Sequence, residues 1–262
     1  MAQWSKLTQA YLPQQTTNHE VVMISDEDGN IINTFGAASN VVISAGDLAG
    51  YSGVHKFGAV WATNGSGWNT IWTYAPTTAL YPWSTPSGTI TVQSTGADTM
   101  DVTVSGLDLN FEPVSETLTL AGATPVAGQT VFTRVNRAFI SSGSNVGTIL
   151  VKIGAVVVTT IDIGYGQTLQ SFYTIPAGKT GYMLSWYATA SKNQETVLGF
   201  FQRPEGGAFR ITSTMALYQN NYSYEYPVPI KFTEKTDLDV RVRGSSNALV
   251  TSEYTIVLVD NE

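Results

Sequence analysis

The chain contains no cysteine and only two histidines, His19 and His55. Without cysteine there is no disulfide, no thiolate nucleophile and no sulfur ligand for a metal, which suits synthesis in a reducing cytoplasm. Two histidines cannot build a three-histidine metal site, and neither an H-E-x-x-H motif nor a G-x-S-x-G turn is present. We therefore predict no metal, no cofactor and no catalytic triad, as expected of a protein that is not an enzyme.

One short acidic stretch, DEDGN, resembles the opening of a calcium-binding loop through Asp26 and Asp28. The glycine falls at the fourth position of the loop instead of the sixth, and Ala37 occupies the twelfth position, where a bidentate glutamate is needed. We interpret this stretch as a hairpin tip whose carboxylates lie in water.

A basic surface and long apolar runs are lacking too. Lys and Arg number 13 against 20 Asp and Glu, which gives a net charge of -7 and predicts no nucleic-acid partner. The most hydrophobic run, ILVKIGAVVV, is interrupted by Lys152 and Gly154, and the N-terminus has no apolar core of signal-peptide length. The sequence predicts neither membrane insertion nor secretion by that route.

Threonine and alternating apolar residues are abundant. The chain has 34 threonines, whose branched side chains suit the solvent-facing side of a sheet. In GTITVQS, Ile90 and Val92 alternate with polar residues, and MDVTVSG repeats the pattern with Val102 and Val104. Similar segments continue to the C-terminus between short turns. They predict an all-β protein, an antiparallel and jelly-roll-like β-sandwich.

The N-terminal part differs from the rest. VVMISDEDGNIINTF has Asp-Gly between apolar flanks, which predicts a hairpin, and AASNVVISAG predicts a further strand. Few apolar residues cluster here, so we expect an extended arm that needs a partner. The predicted organisation is an anchoring arm with a hairpin at 1–55, an uncharged Trp-rich segment at 56–86 for packing or a subunit interface, and a β-sandwich domain at 87–262.

The run from Phe57 to Ala97 contains no Asp, Glu, Lys or Arg. Tryptophan and tyrosine offer large flat surfaces with a polar tip, which suit a protein interface and a sugar-stacking platform alike. Three interpretations stay open: burial against the sandwich or a sister subunit, a glycan platform, or an interface with a different protein. The candidate residues are Trp61, Trp68, Trp72, Tyr74 and Trp83.

The segment TDLDVRVR is the strongest candidate for acid-base chemistry. Strand alternation puts Asp237, Asp239, Arg241 and Arg243 on one face. Two acids beside two arginines are expected to stay ionised, whereas a general acid needs a raised pKa. We therefore predict a charge ladder that is solvated or lies between subunits.

The block STGADTMDVTVSGLDLNFEPVSETLTLAGATPVAGQTVFTRVNRAFISSGSNVGTI, with the later GYGQTLQSFYTIPAGKTGYM, RPEGGAFRITSTMAL and PIKFTEKTDLDVRVR, resembles virion structural proteins of tailed bacteriophages of cyanobacteria and marine bacteria. The resemblance extends from about Gly88 to Glu262 and is carried by strand and turn segments. It implies a capsid decoration, cement or head-fibre protein, or a tail-fibre component, located in the virion after synthesis in the host cytoplasm. It implies no catalytic residues.

The expected partners follow from both arguments. The uncharged aromatic run predicts self-association, and the resemblance implies that the oligomer is a trimer. The leading hypothesis is a capsid decoration, cement or head-fibre protein whose arm binds the major capsid protein or another virion protein. The alternative is a receptor- or carbohydrate-binding tail-fibre module that uses exposed aromatic residues to bind a host surface glycan.

Overall fold

The structure, a computed structural model, describes residues 37–60, 67–73, 80–191, 195–244 and 248–261. The chain divides into two compact units, Met1–Ala49 and Gly50–Glu262. The described residues form one helix and sixteen strands, and every strand pairing is antiparallel. The all-β prediction and the antiparallel sandwich are therefore confirmed. The predicted hairpin at Asp28 lies outside the described residues.

The first unit contains the helix α1, Ala37–Ala45, where a strand was predicted, so that prediction was wrong. Two alanines favour helix at its start. Gly46 follows it with a φ of 78°, and its N–H donates to the carbonyl of Ile43, while the N–H of Asp47 donates to the carbonyl of Val42. These two bonds form a Schellman motif, which needs a left-handed residue and ends the helix at the glycine.

In the second unit, nine strands form what we call the base sandwich. Its two sheets enclose a core in which the ring of Phe200 contacts those of Trp186, Phe232 and Tyr254. In order across the first sheet the strands are β1 (Tyr51–Val60), β16 (Val250–Asp260), β11 (Lys179–Ala190) and β14 (Asn221–Phe232). Across the second they are β10 (Phe172–Thr174), β15 (Asp237–Gly244), β12 (Thr196–Arg203) and β13 (Arg210–Leu217), and the short β2 (Asn69–Thr70) also pairs with β15.

The chain between β2 and β10 forms a second sandwich, which we call the inserted sandwich. Its core is mainly aliphatic, with Ile90, Val92, Val102 and Val104 buried as their alternation predicts, around Phe132. One sheet has the order β6 (Val126–Phe132), β3 (Gly88–Ser94), β8 (Ile149–Ile153) and β9 (Val156–Ile161). The other has the order β5 (Pro113–Thr119), β4 (Asp101–Leu107) and β7 (Arg134–Ile140).

This organisation differs from the predicted boundaries. Residues 51–60 belong to the base sandwich, because β1 pairs with β16 along its whole length. The region from residue 87 onward holds two cores instead of one, and one of them also uses β1 and β2. Alternation identifies strands but not the sheet that each strand joins, so it cannot show that one sandwich interrupts another. Among the described residues no helix is long and apolar enough to cross a membrane.

Candidate functional site

Three aromatic rings of the uncharged run, those of Trp72, Tyr81 and Trp83, are buried in the protein. Trp72 and Trp83 are only 4% and 8% exposed, and both contact Tyr81 and Phe172 edge to face. We call these four residues, together with Phe209 against Trp83, the aromatic cluster. Because these rings contact one another within one chain, they leave little surface for a sugar or for a second copy.

The other three candidates are placed differently. Trp68 is half-buried and packs edge to face on Phe201 with their centroids 5.1 Å apart. Trp61 and Tyr74 lie outside the described residues. Of the three interpretations, the structure favours burial against the sandwich for Trp72 and Trp83. That the five candidate residues form an interface or a glycan platform stays a prediction.

The aromatic cluster lies beside the acidic face of β15. Leu238, Val240 and Val242 point into the core of the base sandwich, and Asp237 and Asp239 point the other way, as the alternation predicts. Both acids are buried, however, so the prediction of a ladder that is solvated or shared between subunits was wrong. Alternation places Arg241 beside Asp239, but the other partners come from distant segments of the same chain, which alternation cannot reveal.

Asp237 joins the two sandwiches. Its Oδ1 accepts hydrogen bonds from Arg134 Nε at 2.9 Å and Thr174 Oγ1 at 2.6 Å, and its Oδ2 accepts from Arg134 Nη2 at 3.1 Å. Arg203 donates to the same Oδ2 through Nε at 3.0 Å and Nη2 at 2.5 Å. Arg134 belongs to β7 of the inserted sandwich, so this forked pair fixes one sandwich on the other.

Asp239 has a different environment. Its Oδ2 accepts from Thr70 Oγ1 at 3.2 Å, Trp83 Nε1 at 2.8 Å and Arg241 Nε at 2.8 Å, whereas Oδ1 has no hydrogen-bond partner among the described residues. Burial raises the pKa of Asp239, and Arg241 with the three hydrogen bonds offsets only part of this. The pKa of Asp239 is therefore raised, although the neighbouring arginines were expected to keep it low.

Arginine side chains also cover the rings of this region. Arg241 lies over Phe201 and Phe209 at 4.4 and 4.3 Å from the ring centroids, and Arg203 lies over Phe209 at 4.6 Å. Such contacts stabilise a desolvated guanidinium. We call Asp237, Asp239, Arg134, Arg203 and Arg241 the junction cluster.

The junction cluster is suited to holding the sandwiches together. Asp239 has no exposed surface, so a substrate cannot reach a carboxyl whose raised pKa would otherwise suit a general acid. No group of three His, Cys, Asp or Glu residues in the described part of the chain could hold a metal. Of the two histidines, His55 forms an exposed pair with Glu253 at 3.6 Å, and His19 lies outside the described residues.

A second candidate surface lies on the edge strand β14. Tyr222 and Tyr224 are exposed, with nearly parallel rings whose centroids are 6.3 Å apart, and Tyr226 meets Tyr224 edge to face at 4.8 Å. Val228 farther along the strand is 80% exposed. We call these four residues the tyrosine flank. The alternation in NYSYEYPV was the available signal, since every second residue lies on one face.

Comparisons with known proteins complete this description. No protein-family model matches the chain, and no curated protein is similar to it. Among solved structures, that of the infectious bursal disease virus Gx strain shares 12% identity, covering 80% of this chain and 72% of that chain with a TM-score of 0.25. The Gt strain of the same virus shares 10% identity over 82% and 78%, with a TM-score of 0.16. A VP2 subviral particle of that virus shares 10% over 82% of each chain, with a TM-score of 0.12. Scores this low carry no argument about function.

Proposed function

We propose that this protein is a non-enzymatic structural component of a virion, a capsid decoration, cement or head-fibre protein that binds the shell through its N-terminal segment. The proposal rests on the resemblance to virion structural proteins of tailed bacteriophages. The observation that supports it best is the division of the chain into a unit of 49 residues, Met1–Ala49, and a unit formed by the two joined sandwiches.

The N-terminal unit supplies a surface for attachment. Val41 and Val42 on α1 are both exposed, and α1 has no charged residue. When another protein covers exposed apolar side chains on a short helix, water is excluded from them and the complex is stabilised. On this proposal the covering protein is the major capsid protein or another protein of the virion.

A truncation tests the attachment. A chain that begins at Gly50 keeps β1 whole, so we expect it to retain its β-rich circular dichroism spectrum and its cooperative unfolding. It should nevertheless fail to bind particles that lack the native protein. Retained binding by this truncation would overturn the role of the N-terminal unit.

A second truncation serves as the control for folding. A chain that begins at Gly88 lacks β1 and β2, which the base sandwich needs to complete both sheets. We expect this chain not to fold cooperatively. Because the two truncations differ by only 38 residues, they separate loss of attachment from loss of the fold.

Self-association is also part of the proposal, and the trimer is implied by the bacteriophage resemblance alone. The tyrosine flank is the better candidate for the contact than the uncharged run, because Tyr222 and Tyr224 are exposed whereas Trp72, Tyr81 and Trp83 are buried. Light scattering of the full chain and of Tyr224→Ser should show a trimer that dissociates in the variant. A clean monomer of the unaltered chain at micromolar concentration would contradict association.

The second candidate function is a receptor- or carbohydrate-binding module of a tail fibre. The exposed rings of Tyr222 and Tyr224 favour it, since an exposed aromatic ring can stack on a sugar. The number of copies on purified particles separates the two functions. Hundreds of copies would support the shell, and a few to a few tens would support the tail.

A further inference from the structure

Part of the boundary between the two sandwiches is an open cleft of about 560 Å³. Strand β1 of the base sandwich forms one side, and strands β4, β5 and β7 of the inserted sandwich form the other. Val54, Phe57, Val114, Phe139 and Tyr173 make much of its lining apolar. The cleft is therefore a concave and largely apolar surface that is separate from the junction cluster and the tyrosine flank.

Lys56 is the unusual residue of this cleft. It lies opposite Tyr254 in the register of β1 and β16, on the core-facing side of the sheet, and is only 8% exposed. Its Nζ donates to the carbonyl of Asn136 at 2.6 Å, and no carboxylate in the described part of the chain pairs with it. Burial, and then the charge of Arg137, lower the pKa of Lys56 from 10.5 to about 7.

The other charged groups of the cleft do not compensate Lys56. Arg137 also lines the cleft, with Nη2 donating to Gln167 Oε1 at 2.9 Å, and His55 pairs with the exposed Glu253. None of the described residues that line the cleft is acidic, although the whole chain has a net charge of -7. A buried cation without a carboxylate costs free energy of folding, and an anionic ligand would recover it.

The shape of the cleft favours a polypeptide as that ligand. Strand β1 is an edge strand with a strand neighbour on one side only. Strand β7 also ends its sheet, but its outer edge is partly bonded to the chain at 166–168, because the Ile140 N–H donates to the Gly166 carbonyl and the Thr168 N–H donates to the Ala138 carbonyl. Edge strands and apolar side-chain pockets are the features that bind extended peptides. A sugar acid is the competing anionic ligand, because Ser105, Ser115, Asn136 and Thr168 also line the cleft.

We propose that this cleft binds an extended segment of a partner protein, and that a carboxylate of this segment lies between Lys56 and Arg137. Apolar side chains beside the carboxylate contact Phe57, Val114 and Phe139. The proposal for this site does not depend on the role of the N-terminal unit or on the location of the protein in the virion.

Binding of two blocked peptides to the full-length chain tests the proposal. The probes are acetyl-Thr-Val-Glu-Val-Thr-amide and its matched Gln peptide, with glucuronate as a sugar acid, each titrated while the Lys56 13Cε signal is followed by NMR. We expect the Glu peptide to bind about tenfold more tightly than the Gln peptide, because it forms charge-assisted hydrogen bonds. It should also raise the pH at which Lys56 titrates.

Two variants show whether Lys56 carries the preference. Lys56→Met keeps only Arg137 for the carboxylate, so its preference for the Glu peptide should fall well below tenfold, whereas Lys152→Met, which removes a positive charge outside the cleft, should keep the full preference. The proposal is overturned by equal binding of the two peptides to the unaltered chain, by no binding of either, or by an unchanged preference in Lys56→Met. Binding of glucuronate without the Glu peptide would assign the cleft to a sugar acid and overturn it too.

Discussion

The junction cluster and the cleft lie between the same two sandwiches but differ in whether their buried charges have partners of opposite charge. In the junction cluster, Asp237 receives two arginines, one from each sandwich. In the cleft, Lys56 is buried beside Arg137 without an acid among the described residues. A buried pair of opposite charges can hold two sandwiches together, whereas a buried charge without a partner lowers the stability of the folded protein. The difference identifies the first as structural and the second as a place for a ligand.

Removing the acid of the junction cluster should have the largest effect. Asp237→Asn leaves Arg134 and Arg203 without their charged partner, and we expect a loss of about 3–5 kcal/mol in the free energy of unfolding. Urea unfolding measures it. Asp260→Asn, which breaks an exposed pair with Lys179, is the control and should cost about 0–1 kcal/mol. Similar losses in both variants would show that burial of the pair does not matter.

Removing the cation of the cleft should instead increase the free energy of unfolding. The folded protein holds the pKa of Lys56 at about 7 against 10.5, so the unfolded chain carries the extra proton between these pH values. The free energy of unfolding should therefore rise from pH 7 towards 10.5. Lys56→Met should flatten this rise and stabilise the protein by about 2–4 kcal/mol at pH 6. A loss of stability at pH 6 would mean that Lys56 has a charged partner.

The bond between the aromatic cluster and Asp239 should have an intermediate effect. Trp83→Phe removes the Nε1–H donor to Oδ2 and should cost about 1–3 kcal/mol. Because this donor favours the charged carboxylate, its loss raises the pKa of Asp239 further, and the cost should be larger at pH 7 than at pH 4. The half-buried Trp68→Phe is the matched control. Equal costs at both pH values would show that Asp239 does not ionise when folded.

The smallest effect is expected one residue from Lys56. His55 points to the exposed side of β1, where it pairs with Glu253. His55→Gln should change the free energy of unfolding by about 0–1 kcal/mol, because an exposed ion pair contributes little. If His55→Gln lowered the free energy of unfolding by more than about 2 kcal/mol in the same experiment as Lys56→Met, the exposed face of β1 would matter for stability as much as the buried face.

The sequence alone predicted the strands where alternation is strong. Ile90, Val92, Val102 and Val104 are buried as predicted, and the opposite faces of β15 were assigned correctly. Alternation is informative because neighbouring residues of a strand point to opposite sides. It failed for α1, where two valines and an isoleucine suggested a strand and the local Schellman motif at Gly46 favours a helix.

Composition also determined part of the candidate chemistry. The absence of cysteine excludes disulfides and thiolates, and the uncharged run distinguishes Trp72 and Trp83, which the structure shows to be buried. The sequence analysis did not identify Tyr222 and Tyr224, because alternation does not show which face of a strand is exposed; that depends on whether the opposing sheet covers the strand.

Only the tertiary structure decided which charges meet. Asp237 and Arg134 are 103 residues apart, and Lys56 and Asn136 are 80 apart. Local patterns carry no information over such separations, because the contact depends on one sandwich being inserted into the other. For the same reason the sequence could not distinguish the compensated acid of the junction cluster from the uncompensated lysine of the cleft. Whether a buried charge has a partner of opposite charge is decided where separate sheets come together.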